Sequence, residues 1–382
     1  MKKIACILLT ISLINISYLA NAQKIESVKV IISNNSAFDF KEKLIEIPWS
    51  EVTEAFSRVD TNSLNILDAK TGKQLVYQLE KKGTSKIQNL LIQVSIPSKQ
   101  NLVLLLKKGE KQAFIPQTYA RYVPERFDDF AWENDKIAFR MYGKALEATT
   151  FNAYGIDIWA KRTNKLVINR WYKSEDYHKD YGEGMDFYGV GFSLGAGGIA
   201  PYYRNEIIYS KNYVDCRILD NGPLRSSFVL FYDDWKVGNS NVKVSKTIQL
   251  DAGSQLSKFD VVFSSTTLDS ISIVAGIHKT KGADVKMFDE KKGIIGYWEP
   301  TTLENGTIGV GCVFQGGSKS FKFEKDHLLN LETIKINKSY CYYAGGAWDK
   351  AGEMTSSIKW FNYLDIFSEQ LKNPITYRFK IN

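Results

Sequence analysis

Residues 242–250 read VKVSKTIQL, with Val242, Val244, Ile248 and Leu250 on one side of a two-residue period and Lys243, Ser245, Thr247 and Gln249 on the other. A period of two sends alternate side chains to opposite faces, as in a β-strand. The same texture extends outward from this stretch. On the C-terminal side it recurs at Lys258–Ser264, Ile271–Lys279, Gly293–Glu299, Ile308–Phe314 and Ile375–Ile381. On the N-terminal side Asp157, Trp159 and Lys161 alternate with Ile156, Ile158 and Ala160, which predicts a half-buried strand. Between Lys24 and Phe114 the runs VKVII, NILDA, LLIQVSI and LVLLLKK are separated by turn residues such as Ser33-Asn34-Asn35 and Thr71-Gly72. One segment has a helical period instead. In Ser356–Leu371, Ile358, Phe361, Leu364, Phe367 and Leu371 recur at three- and four-residue steps behind a Thr355/Ser356 cap. Strands and helices do not alternate, so a parallel α/β sheet is excluded. The chain reads as mainly β: antiparallel strands of a large β-sandwich, with extra N-terminal strands and one C-terminal helix.

The first 22 residues set the compartment. Lys2 and Lys3 precede an apolar run from Ile4 to Leu19, and Ala20-Asn21-Ala22 has the small-x-small form of a signal-peptidase site. The run is short and Asn15 interrupts it, so a leader is predicted rather than an anchor, and the mature chain is expected in the periplasm or secreted. The division expected is residues 1–22 as signal peptide, 23–115 as an N-terminal β-strand region and 116–382 as the main sandwich. No other stretch approaches a membrane span. The net charge of +8 is spread along the chain with no basic block, which argues against nucleic acid. A mild positive field suits an acidic substrate. Cys216, Cys312 and Cys341 form no C-x-x-C pair and read as small buried hydrophobes with at most one disulfide among them.

Seven of the 27 glycines fall between Asp176 and Pro201, in DYHKDYGEGMDFYGVGFSLGAGGIAP, a stretch with neither period. It carries His178, one of three histidines, among Asp176, Tyr177, Asp180, Tyr181 and Glu183. Its aromatic content argues against disorder, so it is expected to be an ordered loop that builds a polar, tyrosine-walled pocket. Gly191-Phe192-Ser193-Leu194-Gly195 matches the nucleophile elbow, but that motif needs a helix behind it, and Ala196-Gly197-Gly198-Ile199-Ala200-Pro201 will not carry one. Gly195, Gly197 and Ala200 match a dinucleotide fingerprint without the strand and helix it requires.

Read together, several motifs resemble one family. They are residues 125–135, ERFDDFAWEND; residues 138–143, AFRMYG; the Asp176-Tyr177-His178 and Gly182-Glu183-Gly184 parts of the loop; Leu194-Gly195-Ala196-Gly197-Gly198; and residues 342–348, YYAGGAW. In this order, and across nearly all of the mature chain, they are similar to the DUF4861 family of secreted proteins common in the polysaccharide-utilisation systems of Bacteroidetes. The resemblance implies a sandwich related to those of galactose mutarotase and the polysaccharide lyases. It also implies the activity of one branch, an oligosaccharide dehydratase of ulvan breakdown. That reaction eliminates water from a non-reducing-end uronic acid and leaves a 4,5-unsaturated sugar.

Such an elimination removes the C5 proton and expels the C4 hydroxyl. It needs a partner for the carboxylate, a base, and an acid for the leaving group. His178, His278 and Tyr181 are the candidates for proton transfer. Arg140, Arg204, Tyr177, Glu133 and Trp298 are the candidates for holding the substrate, arginine through its bidentate fork and tryptophan by stacking on sugar C–H faces. Trp132 and Trp348 offer the same stacking chemistry. His178, Arg140, Arg204 and His278 are expected to converge on one cleft, with Tyr177 and Tyr181 lining it and Trp298 at its edge. His327, in the charged turn FEKDHLLN, reads as a surface residue. No H-x-x-x-H spacing supports a metal, and no cofactor is implied. The partner expected is an anionic oligosaccharide. The alternatives on the same fold are a non-catalytic glycan-binding protein and a mutarotase-like or hydrolytic enzyme.

Overall fold

The computed structural model describes residues 27–57, 59–110, 112–150, 153–174, 176–315 and 320–380; the leader read at residues 1–22 lies outside them. Every strand pairing in its sheets is antiparallel. Strand Ser240–Asp251 contains the alternating run 242–250 and lies inside an eight-stranded sheet, between Arg225–Val237 and Leu256–Ser264. Its inward side chains Val242, Val244, Ile248 and Leu250 join one continuous core with Trp132, Phe139 and Ile158 of a five-stranded sheet. Ile199, Ala275 and Leu329 of a second five-stranded sheet join the same core. The eight-stranded sheet is thus one layer of a sandwich, and the two five-stranded sheets face it.

The strands expected at Lys258–Ser264, Ile271–Lys279, Gly293–Glu299 and Ile308–Phe314 are found at Leu256–Ser264, Ser270–His278, Ile294–Trp298 and Ile308–Phe314. The helix is found at Ser357–Lys372, with the Ser356 hydroxyl accepting from the Lys359 amide as its N-cap. Its Trp360 and Leu364 pack on the outer face of the eight-stranded sheet. Glycines make room for it: a Cβ on Gly311 would lie 2.6 Å from Leu364. Two seven-residue helices, Trp49–Ala55 and Ile168–Ser174, are too short to show a period in sequence.

The N-terminal strands form two smaller sheets around their own core of Val28, Val30, Ile47, Leu64, Ile92 and Leu106. The last strand, Thr376–Lys380, returns to pair with Ser27–Ser33 rather than with the main sandwich. Tyr377 and Phe379 pack against that N-terminal core, which draws the strand there. Cys216, Cys312 and Cys341 are free thiols.

Candidate active site

The five-stranded sheet of Thr118–Val123, Asp129–Asn134, Ala138–Met141, Asp157–Lys161 and Gly184–Asp186 positions most of the candidate residues. Its pleat sends Phe130, Trp132, Phe139 and Ile158 into the sandwich core. The opposite face carries Asp129, Glu133, Arg140, Asp157, Trp159, Lys161 and Asp186. In register, Arg140 stands opposite Asp157, and Trp159 opposite Asp186. The strand at Asp157–Lys161 was expected to be half-buried, yet all five residues are buried. The short helix Ile168–Ser174 and Tyr177 roof its polar face, with Trp171, Tyr172 and Tyr177 packed around Trp159.

Arg140 is the hub of this face. Its Nη2 donates to Oδ2 of Asp157 at 2.5 Å and to Oδ2 of Asp186 at 3.1 Å, and its Nη1 lies 3.6 Å from Oδ2 of Asp129. Tyr142 donates its hydroxyl to Asp157 Oδ2 at 3.3 Å, and Tyr172 donates to Asp129 Oδ2 at 3.2 Å. Three carboxylates around one guanidinium leave an excess of negative charge out of water. Burial accordingly pushes Asp129 up to about 7 and raises Asp186 and Asp157. The cluster therefore holds protons near neutral pH. The Tyr142 hydroxyl is raised by burial and by Asp157, so it is neutral and a donor.

His178 sits at the mouth of the cluster with 63% of its side chain exposed. Its Nδ1 is 3.0 Å from the Asp186 carbonyl oxygen and 3.7 Å from Asp186 Oδ2. A carbonyl oxygen can only accept, so Nδ1 donates to it, and Nε2 has no hydrogen-bond partner among the described residues. The glycine loop sets this geometry. Asp180 Oδ1 accepts from the Gly182 and Gly184 amides, and the Asp186 amide donates to the Tyr177 carbonyl. Gly184, at φ +121°, lies against the next strand so closely that a Cβ would sit 2.0 Å from the Ala160 oxygen. Beside the loop is a hollow of ≈ 180 Å³ lined by Arg170, Trp171, Tyr177, Lys179, Tyr181 and Glu183. Arg170 is paired with Glu183 at 2.5 Å. No described carboxylate lies within 4.0 Å of the Lys179 ammonium, whose Nζ stands 5.5 Å over the Tyr181 ring.

The structure thus brings His178 and Arg140 together through Asp186, with Tyr177 stacked on Trp159 and tilted against the His178 ring. Tyr181 is exposed on the loop and donates to Asp176. The other candidates make their contacts with other partners. Arg204 is exposed at φ +52° on the turn joining Ala196–Tyr203 to Glu206–Ile207, with its guanidinium 5.2 Å over the Tyr203 ring. Glu133 is fully buried and spent on structure: it binds Lys161 Nζ at 2.7 Å and accepts from the Val167 and Ile168 amides, capping the short helix. Trp298 is buried among Trp360 and Leu364. His278 stands next to His327, with ring centroids 5.1 Å apart on paired strands. His327 was expected on the surface and is buried. Its Nδ1 meets the Lys325 carbonyl and its Nε2 accepts from the Leu194 amide, so it ties down the glycine loop. Among the described residues no hydrogen bond, ion pair or ring contact links Arg204 or His278 to His178 or Arg140. Ser193 is buried, bonded to the Val190 carbonyl and the Gly195 amide, with a strand and not a helix behind it. The expected loop is also partly strand, since Gly184–Asp186 and Ala196–Tyr203 fall within it.

Tyr142, Asp129, Asp157 and Asp186 are the site members that sequence reasoning did not single out. The available signal was an acid inside an apolar strand, Asp157 between Ile156 and Ile158. Among the described residues no group of three or more His, Cys, Asp or Glu side chains is placed to hold a metal ion.

Residues 32–376 match the family described as Domain of unknown function (DUF4861). A relative, "Uncharacterized protein P7" of Formosa agariphila, is 34% identical over 275 residues, which is 67% of this chain and 68% of the relative. A solved structure from Enterococcus faecalis, a protein in glycosyl hydrolase family 38, superposes with a TM-score of 0.53 at 10% identity, over 93% of this chain and 47% of its own. An alpha-mannosidase from Enterococcus faecalis V583 gives 0.49 at 10% identity, over 93% and 46%. The chain spans about half the length of these solved structures. At such identity the first of them shows a shared fold and nothing finer.

Proposed function

The chain belongs to the DUF4861 family, and from that premise we propose that it is an acid–base enzyme of oligosaccharide breakdown, a dehydratase of a non-reducing-end uronic acid. One observation carries the reading. Two proton-handling pairs, Tyr142 with Asp157 and His178 with Asp186, flank a single guanidinium. In the proposed reaction His178 Nε2 takes the C5 proton. The C5–H electrons form the C4=C5 bond, and the C4–O bond breaks. The Tyr142 hydroxyl protonates the departing hydroxyl, which leaves as water, and Asp157 resupplies Tyr142. Lys179, with no carboxylate partner among the described residues, meets the charge of the substrate carboxylate, a role that Arg140 cannot fill while three carboxylates share it. The protonated carboxyls beside Arg140 serve as neutral donors to developing negative charge. A fold shared with a glycosyl hydrolase family member supports a sugar as the substrate class without fixing the reaction. The test is incubation with uronate-terminated oligosaccharides, read as ultraviolet absorbance of the new double bond together with product mass. Binding without any mass change points to a glycan-binding protein. Chain scission or anomer exchange without unsaturation points to a hydrolytic or mutarotase-like enzyme.

A further inference from the structure

Away from the Arg140 cluster, a cleft of ≈ 1110 Å³ opens between strand Phe40–Pro48 and helix Ser357–Lys372, and none of the cluster's residues lines it. This is at the upper end of small-molecule pockets and large enough for an oligomer.

Its charges are unevenly matched. Glu42 and Glu353 are held by Lys136 at 3.3 and 3.0 Å, and Asp251 and Glu46 by Arg225 at 2.6 and 2.8 Å. Asp39, the remaining lining acid, accepts from the Ser98 amide. Three lining cations have no such match: no described carboxylate oxygen lies within 4.0 Å of the ammonium of Lys41, Lys43 or Lys359. Lys43 is half-buried, and its Nζ stands 5.4 Å over the Phe367 ring. Burial disfavours its charge and lowers its pKa, an unfavourable state that an anion placed beside it would relieve. Tyr343 lines the same cleft against the mostly buried Phe367, and Asn362 and Gln249 offer amides that both donate and accept. An aromatic side chain and amides in one cleft suit pyranose rings, which present C–H faces and hydroxyl edges.

We infer that this cleft is a second binding site, separate from the acid–base cluster, for an anionic oligosaccharide of several sugar units. The inference shares with the proposed function only the chemical class of ligand. The cleft holds a long acidic chain by Lys41, Lys43 and Lys359, while the catalytic cluster handles a chain end.

Calorimetric titration with hexagalacturonate, maltohexaose and hexaglutamate tests this on the wild-type protein and on His178→Gln. Hexagalacturonate should bind both proteins and grow weaker as salt rises, and the other two should bind at least about tenfold more weakly. The double variant Lys41→Gln/Lys43→Gln should weaken hexagalacturonate by about tenfold or more, and Lys359→Gln, exposed on the helix and harmless to folding, should weaken it measurably. No binding by the wild type overturns the inference, and so does affinity unchanged in both lysine variants. Equal affinity for maltohexaose removes the role of charge, and equal affinity for hexaglutamate removes the role of sugar; either overturns it. Calorimetry reads binding and not turnover, so binding without unsaturation of any uronate contradicts the dehydratase and leaves the cleft standing.

Discussion

Asp157 and Asp186 share one nitrogen: Nη2 of Arg140 lies 2.5 Å from Oδ2 of the first and 3.1 Å from Oδ2 of the second. Two carboxylates this close, out of water and with Asp129 nearby, do not all ionise together at neutral pH. The Asp157 carboxylate accepts from Tyr142, and the backbone carbonyl of Asp186 holds His178 with its carboxylate 3.7 Å off, so the shared guanidinium connects the acid side of the site to the base side.

His178→Gln and Tyr142→Phe should each lower turnover by about 10²–10⁴. His178 is largely exposed, so its variant should melt where the wild type does. A drop in the melting temperature equal to the loss of activity would mean that His178 is a structural residue.

Asp129 titrates at about 7 in the native state against 3.8 unfolded, because burial favours its neutral form. Between these values the native state holds a proton that the unfolded chain has lost. Its contribution is complete below about 4 and is lost as pH rises through 7. Asp129→Asn, compared with wild type by chemical denaturation at pH 5 and pH 8, should flatten this dependence. Identical slopes in the two proteins would contradict the assignment.

Glu133 should behave in the opposite way to a substrate-binding residue. Glu133→Ala strands the buried Lys161 ammonium and uncaps the helix Ile168–Ser174, at a cost of about 3–5 kcal/mol in urea unfolding. A stable variant that loses only affinity would return Glu133 to the binding site.

Lys246 is buried with no carboxylate partner among the described residues, its Nζ 4.2 Å over Tyr232 and 5.8 Å over Trp235. Burial lowers its pKa from 10.5 to about 7. Between those values the unfolded chain binds a proton that the native state does not, so native stability rises as pH climbs from about 7 towards 10.5. Lys246→Met should remove that rise and stabilise the protein at pH 6 by about 1–4 kcal/mol. A destabilised Met variant would show that the aromatic faces more than offset the burial of the charge.

The strands were legible because alternation depends on neighbours two residues apart, and Ile308–Phe314 is found with the bounds read from sequence. The helix was legible from its period and its serine cap. Burial of polar side chains was not, because it depends on partners far along the chain. Lys246 occupies an inward place in VKVSKTIQL, and only the packing of Tyr154, Tyr232 and Trp235 around it shows what becomes of its charge. His327 sits in a charged turn, yet the backbone of Leu194, more than a hundred residues earlier, covers its ring. His178 and Arg140 were named separately. Asp186 joins them, and nothing in GMDFYG marks that aspartate as their link.

The most direct test of the central claim follows double-bond absorbance and product mass over a panel of uronate-terminated oligosaccharides, with wild type, His178→Gln and Tyr142→Phe side by side. The account predicts a product lighter by one water and absorbing in the ultraviolet, formed by the wild type and nearly abolished in both variants. Flat absorbance and unchanged mass across the panel with folded wild-type protein, or full turnover by either variant, would contradict it.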